Sequence, residues 1–390
     1  MNNTELKQQS AKYIAPTYAK KDAVLAKGRG ATAWDNDGKK YIDFTSGVGV
    51  NSLGFSDDGY VKAVTRQLEA LQHTCNLFYH AQDASLAQKL CEKSGMQKVF
   101  FCNSGAEANE GAIKWARKYG EDKKGKQCFR IVTLTDSFHG RTITTLAATG
   151  QDGFHTKFHP LTDGFVHAKS GDIDDLLSKL TDDTCAVLFE IVQGEGGVNV
   201  LDAEYVKAMV AACRAKDILV IIDEVQTGIG RTGTLFAYEQ YGIKPDIITL
   251  AKGLGGGLPV GAILLGEAVQ NVLGAGDHGS TFGGNPVSCA AANYVLDTIT
   301  PKFLDEVNAK AKVISQRLKA IDGVELSGLG LMIGISKDGM DAGKVLSECS
   351  NKGLLVLTAK QKVRLLPPLN ITMDELKIGL DILCGILEKL

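Results

Sequence analysis

The sequence predicts an α/β protein: a large domain with a mostly parallel central sheet flanked by helices, and a smaller α+β domain formed by both termini. Short apolar runs alternate with amphipathic stretches from about residue 99 onward, and glycines concentrate just after these runs. The two ends of the chain show a different pattern. Because the runs are continuous rather than alternating, they indicate strands that are buried on both faces of the sheet.

Apolar runs with the length and composition of strands define the large domain. They span 98–102, 129–134, 185–190, 218–223, 246–250 and 261–265. Helical patterns lie between several of them, for example over 106–119 and 203–215. Helices in these positions are the usual connections between parallel strands.

The termini predict the smaller domain. Asn36-Asp37-Gly38 lies between two apolar runs within 30–45, which favours a hairpin with a tight turn. After about residue 285 a helical pattern leads into strand candidates, and the chain ends in an amphipathic helix. These segments are 331–335, 354–357 and 363–366, with the helix over 372–389. We therefore predict that 1–55 and 290–390 form the small domain and that 56–289 forms the large one.

The composition is that of an ordinary globular protein and excludes several classes of function. The 390 residues include 43 basic and 45 acidic side chains, so the net charge of −2 gives no electrostatic footprint for nucleic acid. No run approaches the roughly 18 apolar residues that a membrane helix needs. The nine cysteines are scattered without any C-x-x-C, which indicates reduced thiols in a cytoplasmic protein rather than disulfides or a metal site.

Ligands of open α/β sheets collect at the carboxyl ends of the strands, so the residues after each run are the candidate site. The first run is followed by a small, glycine-bearing turn into a helix, with Ser104, Gly105 and Ala106 at its start. Free backbone N–H groups there, with the Ser104 hydroxyl, would bind a phosphate. An ordinary helix cap made by Ser104 or Asn103 is the alternative.

The second run is followed by Phe138, His139 and Arg141 within four positions. An aromatic ring and a guanidinium at a strand end could stack on a planar ring and bind a carboxylate. A loop with a buried Phe and a surface Arg would leave the same pattern.

Asp223 ends the most apolar run, Ile218 to Ile222. A carboxylate at the end of a buried strand is poorly solvated and costly unless it meets a cation or hydrogen-bond donors. This placement favours a functional role, although a helix cap or a metal-binding Asp remains open.

Lys252 lies between the buried run 246–250 and the turn Gly253-Leu-Gly-Gly-Gly257. A partly desolvated lysine has a lowered pKa and is suited to imine chemistry. The alternative is a phosphate-binding lysine, but the spacing G-x-x-x-x-G-K-[ST] is absent.

Together these strand ends supply the parts that pyridoxal 5′-phosphate requires. The cofactor needs a lysine for its aldehyde, an acid for its pyridine nitrogen and anchors for its phosphate. Asp223 and Lys252 are 252 − 223 = 29 residues apart, a separation that one crossover of the sheet can bridge.

The motifs resemble those of the class III aminotransferases over essentially the whole chain. The residues that carry this resemblance are Asp223-Glu-Val-Gln-Thr-Gly-Ile-Gly-Arg-Thr-Gly233, Leu250-Ala-Lys-Gly253 and Ser280-Thr-Phe-Gly-Gly-Asn-Pro286. The resemblance implies the type I fold of pyridoxal phosphate enzymes and a ping-pong transfer of an amino group from a small-molecule donor to 2-oxoglutarate.

The resemblance also implies roles for individual cofactor-binding residues. Lys252 would form the imine with the cofactor, and Asp223 would pair with its pyridine nitrogen. Phe138 and Val225 would cover the two faces of the ring, with Gln226 near the ring hydroxyl. The phosphate would be bound by Ser104, Gly105 and Ala106 together with Thr281 of the partner subunit, which implies a homodimer with shared active sites.

Arg141 and Arg364 resemble the two carboxylate-binding arginines of the family, and Glu195 resembles the acid that pairs with the second one. The early loop carries Val48 and Val50 where a polar aromatic residue could stand, so an acylated donor would suit the channel better than a free ammonium. Ornithine, succinylornithine and 4-aminobutyrate are the alternative donors within the family.

The chain departs from the family pattern at Phe55, where a His is usual, and at Ile191, where a Pro is usual. Neither position has a predicted chemical role. Two other functions are compatible with parts of the pattern: a nicotinamide dehydrogenase with a glycine-rich loop, and a protein of this fold that binds the cofactor without turnover.

Overall fold

The computed structural model describes all residues from Met1 to Leu390. Its strands are β1 (Leu25–Arg29), β2 (Thr32–Asp35), β3 (Lys40–Asp43), β4 (Lys98–Cys102), β5 (Arg130–Leu134), β6 (Phe165–Ala168), β7 (Thr184–Phe189), β8 (Val192–Gln193), β9 (Asn199–Val200), β10 (Leu219–Asp223), β11 (Ile247–Leu250), β12 (Gly261–Leu265), β13 (Val324–Leu329), β14 (Met332–Lys337), β15 (Leu354–Leu355), β16 (Leu357–Ala359) and β17 (Lys362–Leu365).

The helices pack around these strands. They are α1 (Asn3–Tyr13), α2 (Ser46–Gly49), α3 (Asp58–Ala70), α4 (Ala81–Ser94), α5 (Gly105–Lys124), α6 (Ile143–Ala148), α7 (Ile173–Lys179), α8 (Ala203–Ala215), α9 (Pro286–Thr298), α10 (Pro301–Lys319), α11 (Ala342–Asn351) and α12 (Met373–Leu387). The short segment α2 is a left-handed turn, because all four of its residues have positive φ. No helix combines the length and the apolar character that crossing a membrane requires.

The central sheet has the strand order β4-β12-β11-β10-β7-β5-β6. Its β6-β5-β7-β10-β11 part is parallel, and β12 runs antiparallel to both of its neighbours. The predicted α/β class with a mostly parallel sheet is confirmed. All predicted strands of this sheet are present to within one residue at each end, whereas β6 was not predicted.

Both faces of the central sheet are buried, as the continuous apolar runs indicate. On β10, Val220 and Ile222 pack into a core of 67 buried residues, and Leu219 and Ile221 pack into a second core of 19. The alternation follows because successive side chains of a strand point to opposite faces. With apolar layers on both faces, the carboxylate of Asp223 is left at the end of β10.

Residues from both ends of the chain share one of the smaller sheets. One sheet has the order β1-β2-β3-β15, and Leu354 of β15 pairs with Ile42 of β3 in parallel. The other has the order β13-β14-β17-β16. The predicted hairpin is β2–β3, whose turn is fixed by Asp35 Oδ1, which accepts the backbone N–H of Asp37 and Lys39. The domain boundaries near 55 and 290 stay a prediction.

Candidate active site

A cavity of about 540 Å³ lies at the carboxyl ends of the parallel strands. Most of the predicted site residues line it: Ser104, Gly105, Ala106, Phe138, Arg141, Asp223, Val225, Gln226 and Lys252. Tyr18 from the N-terminal segment, Val50 after the turn α2, and Glu190 after β7 also line it. Glu195 and Arg364 do not line the cavity, but both are hydrogen-bonded to Gln226, which does. Thr281 is exposed and lies outside the cavity.

Asp223 is held rigidly at the end of β10. The residue is 3% exposed, and Oδ2 of its carboxylate accepts hydrogen bonds from Asn109 Nδ2 at 2.7 Å and from His139 Nδ1 at 2.9 Å. Oδ1 accepts the backbone N–H of Val225 at 3.0 Å. These donors compensate for the loss of water and fix the carboxylate orientation.

Asn109 and His139 are in turn fixed by further hydrogen bonds. Asn109 Nδ2 also donates to the backbone carbonyl of His139 at 2.8 Å, and its Oδ1 accepts from Thr249 Oγ1 at 2.7 Å. His139 Nε2 is buried without a partner. Side chains of α5, of the loop after β5 and of β11 thus hold the Asp223 carboxylate in one orientation.

Lys252 carries the free amine of the cavity. Its Nζ makes no hydrogen bond or ion pair within the protein, and its backbone, two residues after the end of β11, has a positive φ of 41°. Burial lowers the pKa of Lys252, with the nearby Arg364 cation adding to the effect and Glu195 and Asp223 opposing it. A lowered pKa gives the amine more of its neutral, nucleophilic form at neutral pH.

The turn at the start of α5 has the form of an anion site. Ser104 caps the helix, with Oγ accepting the backbone N–H of Glu107 at 3.2 Å. The first backbone N–H groups of a helix have no partner within it, so those of Gly105 and Ala106 can donate to an anion. A Cβ on Gly105 would lie 2.6 Å from Val225 Cγ1, so only glycine allows the turn to approach Val225 this closely.

Phe138 borders the cavity with its backbone anchored. Its N–H donates to Glu190 Oε2 at 2.9 Å, and its ring meets Phe154 edge-on at 6.0 Å. The Arg141 guanidinium lies 4.5 Å from the centre of the Phe154 ring and forms no ion pair. Arg141 is therefore an uncompensated cation at the cavity, as a carboxylate-binding residue has to be.

Arg364 and Glu195 form an ion pair that includes Gln226. Arg364 Nη1 donates to Glu195 Oε1 at 2.6 Å and to Gln226 Oε1 at 3.1 Å, while Gln226 Nε2 donates to Glu195 Oε1 at 3.3 Å. Burial alone would raise the pKa of Glu195, but the Arg364 cation and its hydrogen bond outweigh burial and lower that pKa below its ordinary value. Glu195 therefore stays ionised, and it neutralises Arg364.

The residues fit pyridoxal phosphate. The cavity offers an unpartnered amine with a lowered pKa, a rigid carboxylate, an anion-binding helix start and an aromatic ring. Sequence analysis assigned no role to Asn109, His139, Glu190 or Tyr18. Asn109 and His139 lie within the motifs at two strand ends, so their position was a signal, but their bonds to Asp223 span 114 and 84 residues.

Comparisons with known proteins agree with this geometry. The family model of class III aminotransferases matches residues 13–387. The chain is 53% identical to the acetylornithine aminotransferase of Haemophilus ducreyi, with 100% of each chain covered, and 44% identical to that of Methanocaldococcus jannaschii, with 94% of this chain and 93% of the relative covered.

Solved structures give the same family. The ornithine aminotransferase of Toxoplasma gondii superposes with a TM-score of 0.94 at 32% identity, covering 99% of this chain and 95% of that one. The N-acetylornithine aminotransferase of Stenotrophomonas maltophilia superposes with a TM-score of 0.84 at 35% identity, covering 98% of each chain. The chain therefore belongs to the class III aminotransferases, pyridoxal phosphate enzymes of fold type I that move an amino group between small-molecule substrates.

Proposed function

We propose that the protein is an acetylornithine transaminase. It converts N-acetyl-L-ornithine and 2-oxoglutarate to N-acetyl-L-glutamate 5-semialdehyde and L-glutamate by a ping-pong reaction, a step of arginine biosynthesis. The observation that carries the proposal is the contrast between two arginines: Arg141 lines the cavity and has no ionic partner, whereas Arg364, which lies behind Gln226, is paired with Glu195. The names of the relatives point to the same donor.

The bound cofactor supplies an aldehyde that carries the amino group and a ring that accepts an electron pair. Ser104, Gly105 and Ala106 would bind its phosphate, and Asp223 would accept a hydrogen bond from its ring nitrogen. Phe138 and Val225 would cover the two faces of the ring, with Gln226 near the ring hydroxyl. Lys252 Nζ would hold the cofactor and would take up and return the proton of the substrate carbon that bears the amino group.

The two arginines explain how one pocket accepts two unlike substrates. In the first half-reaction Arg141 binds the carboxylate of the donor, and Glu195 neutralises Arg364. In the second half-reaction Glu195 moves away, and Arg364 binds a carboxylate of 2-oxoglutarate. Val50 at the cavity gives the neutral acetamido group of the donor an apolar surface.

A homodimer completes the proposed site. Thr281 is exposed, and beside it Phe282, Leu77, Phe78 and Tyr79 present large exposed apolar side chains. The two segments are joined by Asn76 Nδ2, which donates to the carbonyls of Ser280 and Gly283. An apolar patch of this kind marks an interaction site, and a second subunit seated there would receive Thr281 at its phosphate.

The cysteines support a reducing compartment. All nine are free thiols, and only Cys75 is exposed. We place the protein in the cytoplasm on this basis.

A panel of donors with 2-oxoglutarate tests the proposal. Acetylornithine should exceed ornithine, succinylornithine and 4-aminobutyrate by at least about tenfold in kcat/KM, which is about 1.4 kcal/mol of transition-state binding. Equal or reversed ranking would overturn the donor assignment. A visible absorption band that appears with pyridoxal phosphate and changes on adding donor separates an enzyme from a protein that only binds the cofactor.

A further inference from the structure

Glu190 is a buried carboxyl group that the mechanism above does not use. It follows β7 directly, lines the cavity and is 5% exposed. Its one hydrogen bond comes from the backbone N–H of Phe138, 2.9 Å from Oε2, and it forms no ion pair. The second oxygen, Oε1, has no partner in the protein and is not sealed in the interior, so it is open to the cavity.

These surroundings favour the neutral form of the carboxyl group. A buried carboxylate with one neutral donor and no cation is costly, and a second carboxylate nearby adds repulsion. Burial and the charges of Asp223 and Glu195 raise the pKa of Glu190 well above its ordinary value, against the Phe138 N–H and the Lys252 cation. A neutral acid keeps a proton that it can donate from the oxygen facing the cavity.

The order of the strands indicates what this proton would meet. In the sheet, β7 lies on one side of β10 and β4 lies on the other. The phosphate-binding turn Ser104–Ala106 follows β4, and Asp223 ends β10. A ring placed between them therefore turns the edge opposite its phosphate arm toward β7 and Glu190. In pyridoxal phosphate that edge is C2–C3, and its polar group is the oxygen on C3.

We infer that Glu190 is held as a neutral carboxylic acid and donates a hydrogen bond from Oε1 to the C3 oxygen of bound pyridoxal phosphate. The inference rests on the cofactor site of the proposed function. Acids kept neutral by apolar surroundings act as hydrogen-bond donors in other enzyme sites. Here the donor stabilises negative charge on the ring oxygen and leaves Asp223 as the charged carboxylate of the ring pocket.

Two non-covalent ligands test the contact in the apo protein. Both are phosphorylated pyridines without the aldehyde; 4′-deoxypyridoxine 5′-phosphate carries the C3 hydroxyl, and its 3-deoxy analogue does not. Glu190→Gln keeps a neutral donor and should bind both ligands within about threefold of wild type. Glu190→Met removes the donor and should weaken only the hydroxyl-bearing ligand, by about tenfold, the size of one buried hydrogen bond.

The infrared spectrum of the apo protein tests the protonation state independently. The difference between wild type and Glu190→Gln at pH 7 should contain the carbonyl band of a protonated carboxylic acid. For ligand binding, Glu224→Gln is the matched control, because Glu224 is also buried but does not line the cavity. It should bind both ligands as wild type does.

Three outcomes decide between the possibilities. Equal weakening of both ligands by Glu190→Met, or a difference spectrum without the acid band, overturns the role of Glu190 and leaves the cofactor site intact. Wild-type protein that binds neither ligand overturns the cofactor site of the proposed function, and the role of Glu190 with it. Tenfold selective weakening together with the band establishes the contact.

Discussion

The side of the cavity that we propose for the cofactor (the cofactor side) and the side that we propose for the substrate (the substrate side) are built in different ways. On the cofactor side, Asp223 receives three hydrogen bonds from residues packed on the central sheet, and its side chain is 4% exposed. On the substrate side, Arg364 comes from β17 of another sheet and is paired with Glu195, whose side chain is 30% exposed. The first arrangement holds one geometry, whereas in the second the Glu195 carboxylate is open to water and the Arg364 side chain, 4% exposed, is not.

This difference matches two tasks. A ring nitrogen must meet the same acceptor throughout both half-reactions, so a fully bonded carboxylate is suitable. A pocket that binds two unlike substrates needs a cation that is neutralised for one substrate and free for the other, as Arg364 would be when Glu195 pairs with it or moves away. An ion pair with one partner open to water is cheaper to break than a fully buried one, because water can solvate the released Glu195 carboxylate.

Removing the amine from the cofactor side should have the largest effect. Lys252→Ala should lower turnover by at least about 10³-fold, since one group supplies both the covalent attachment and the proton transfer. The variant should still bind pyridoxal phosphate through Asp223 and the phosphate-binding turn, but without the visible band of the imine. Steady-state rates and absorption spectra check this; a variant with a tenth of wild-type activity would exclude Lys252 from its role.

The substrate side should respond by changing preference. Glu195→Ala leaves Arg364 uncovered, so dicarboxylates such as glutamate should bind better and discrimination in favour of acetylornithine should fall by about 10²-fold. The measurement is the single-turnover rate of each half-reaction, followed by the cofactor spectrum.

Arg364→Ala is the matched partner of this variant and should have the opposite effect. It should slow the half-reaction with 2-oxoglutarate more than the half-reaction with the donor. If both variants slow the two halves equally, the ion pair is structural and the contrast between the two sides disappears.

The same contrast separates what the sequence could predict from what it could not. The cofactor side follows strand by strand from local signals, because a buried apolar run that ends in Asp223, or in Lys252 and a glycine turn, is visible within a few residues. The supports of Asp223 are not local: Asn109 and His139 meet it across 114 and 84 residues. No periodicity encodes such contacts.

Parts of the fold could not be predicted from the sequence for a related reason. Strand β6 contains only four residues, three of them partly exposed, and β13 mixes polar residues and glycine with apolar ones, so neither forms a continuous apolar run. The antiparallel direction of β12 depends on the path of its connections rather than on its own composition.

Weakening one support of Asp223 should have a smaller effect than removing Lys252. His139→Phe deletes the bond from Nδ1 and leaves the donors from Asn109 and Val225 in place. We expect about tenfold weaker binding of pyridoxal phosphate, the lower end of the range for a hydrogen bond to a charged group. His155→Phe is the control, because His155 bonds the carbonyl of Leu146 and does not touch Asp223. Equal effects of the two changes would show that Asp223 does not depend on His139.

Glu224, the neighbour of Asp223 in sequence, should affect stability and leave turnover almost unchanged. Its carboxyl is buried and accepts hydrogen bonds from Thr227 Oγ1 and the Tyr238 N–H, yet burial raises its pKa from 4.5 to about 7. The folded protein therefore holds a proton that the unfolded chain has lost between pH 4.5 and 7. The contribution of Glu224 to stability is complete below pH 4.5 and is lost as the pH rises to 7.

Glu224→Gln has no such loss, because glutamine does not titrate. The free energy of unfolding of the variant, relative to that of wild type, should therefore increase by on the order of 1–3 kcal/mol from pH 5 to pH 8. Urea unfolding of both apo proteins at the two pH values measures the gain. A difference that is the same at pH 5 and pH 8 would mean that Glu224 does not titrate differently in the folded and unfolded protein in this window.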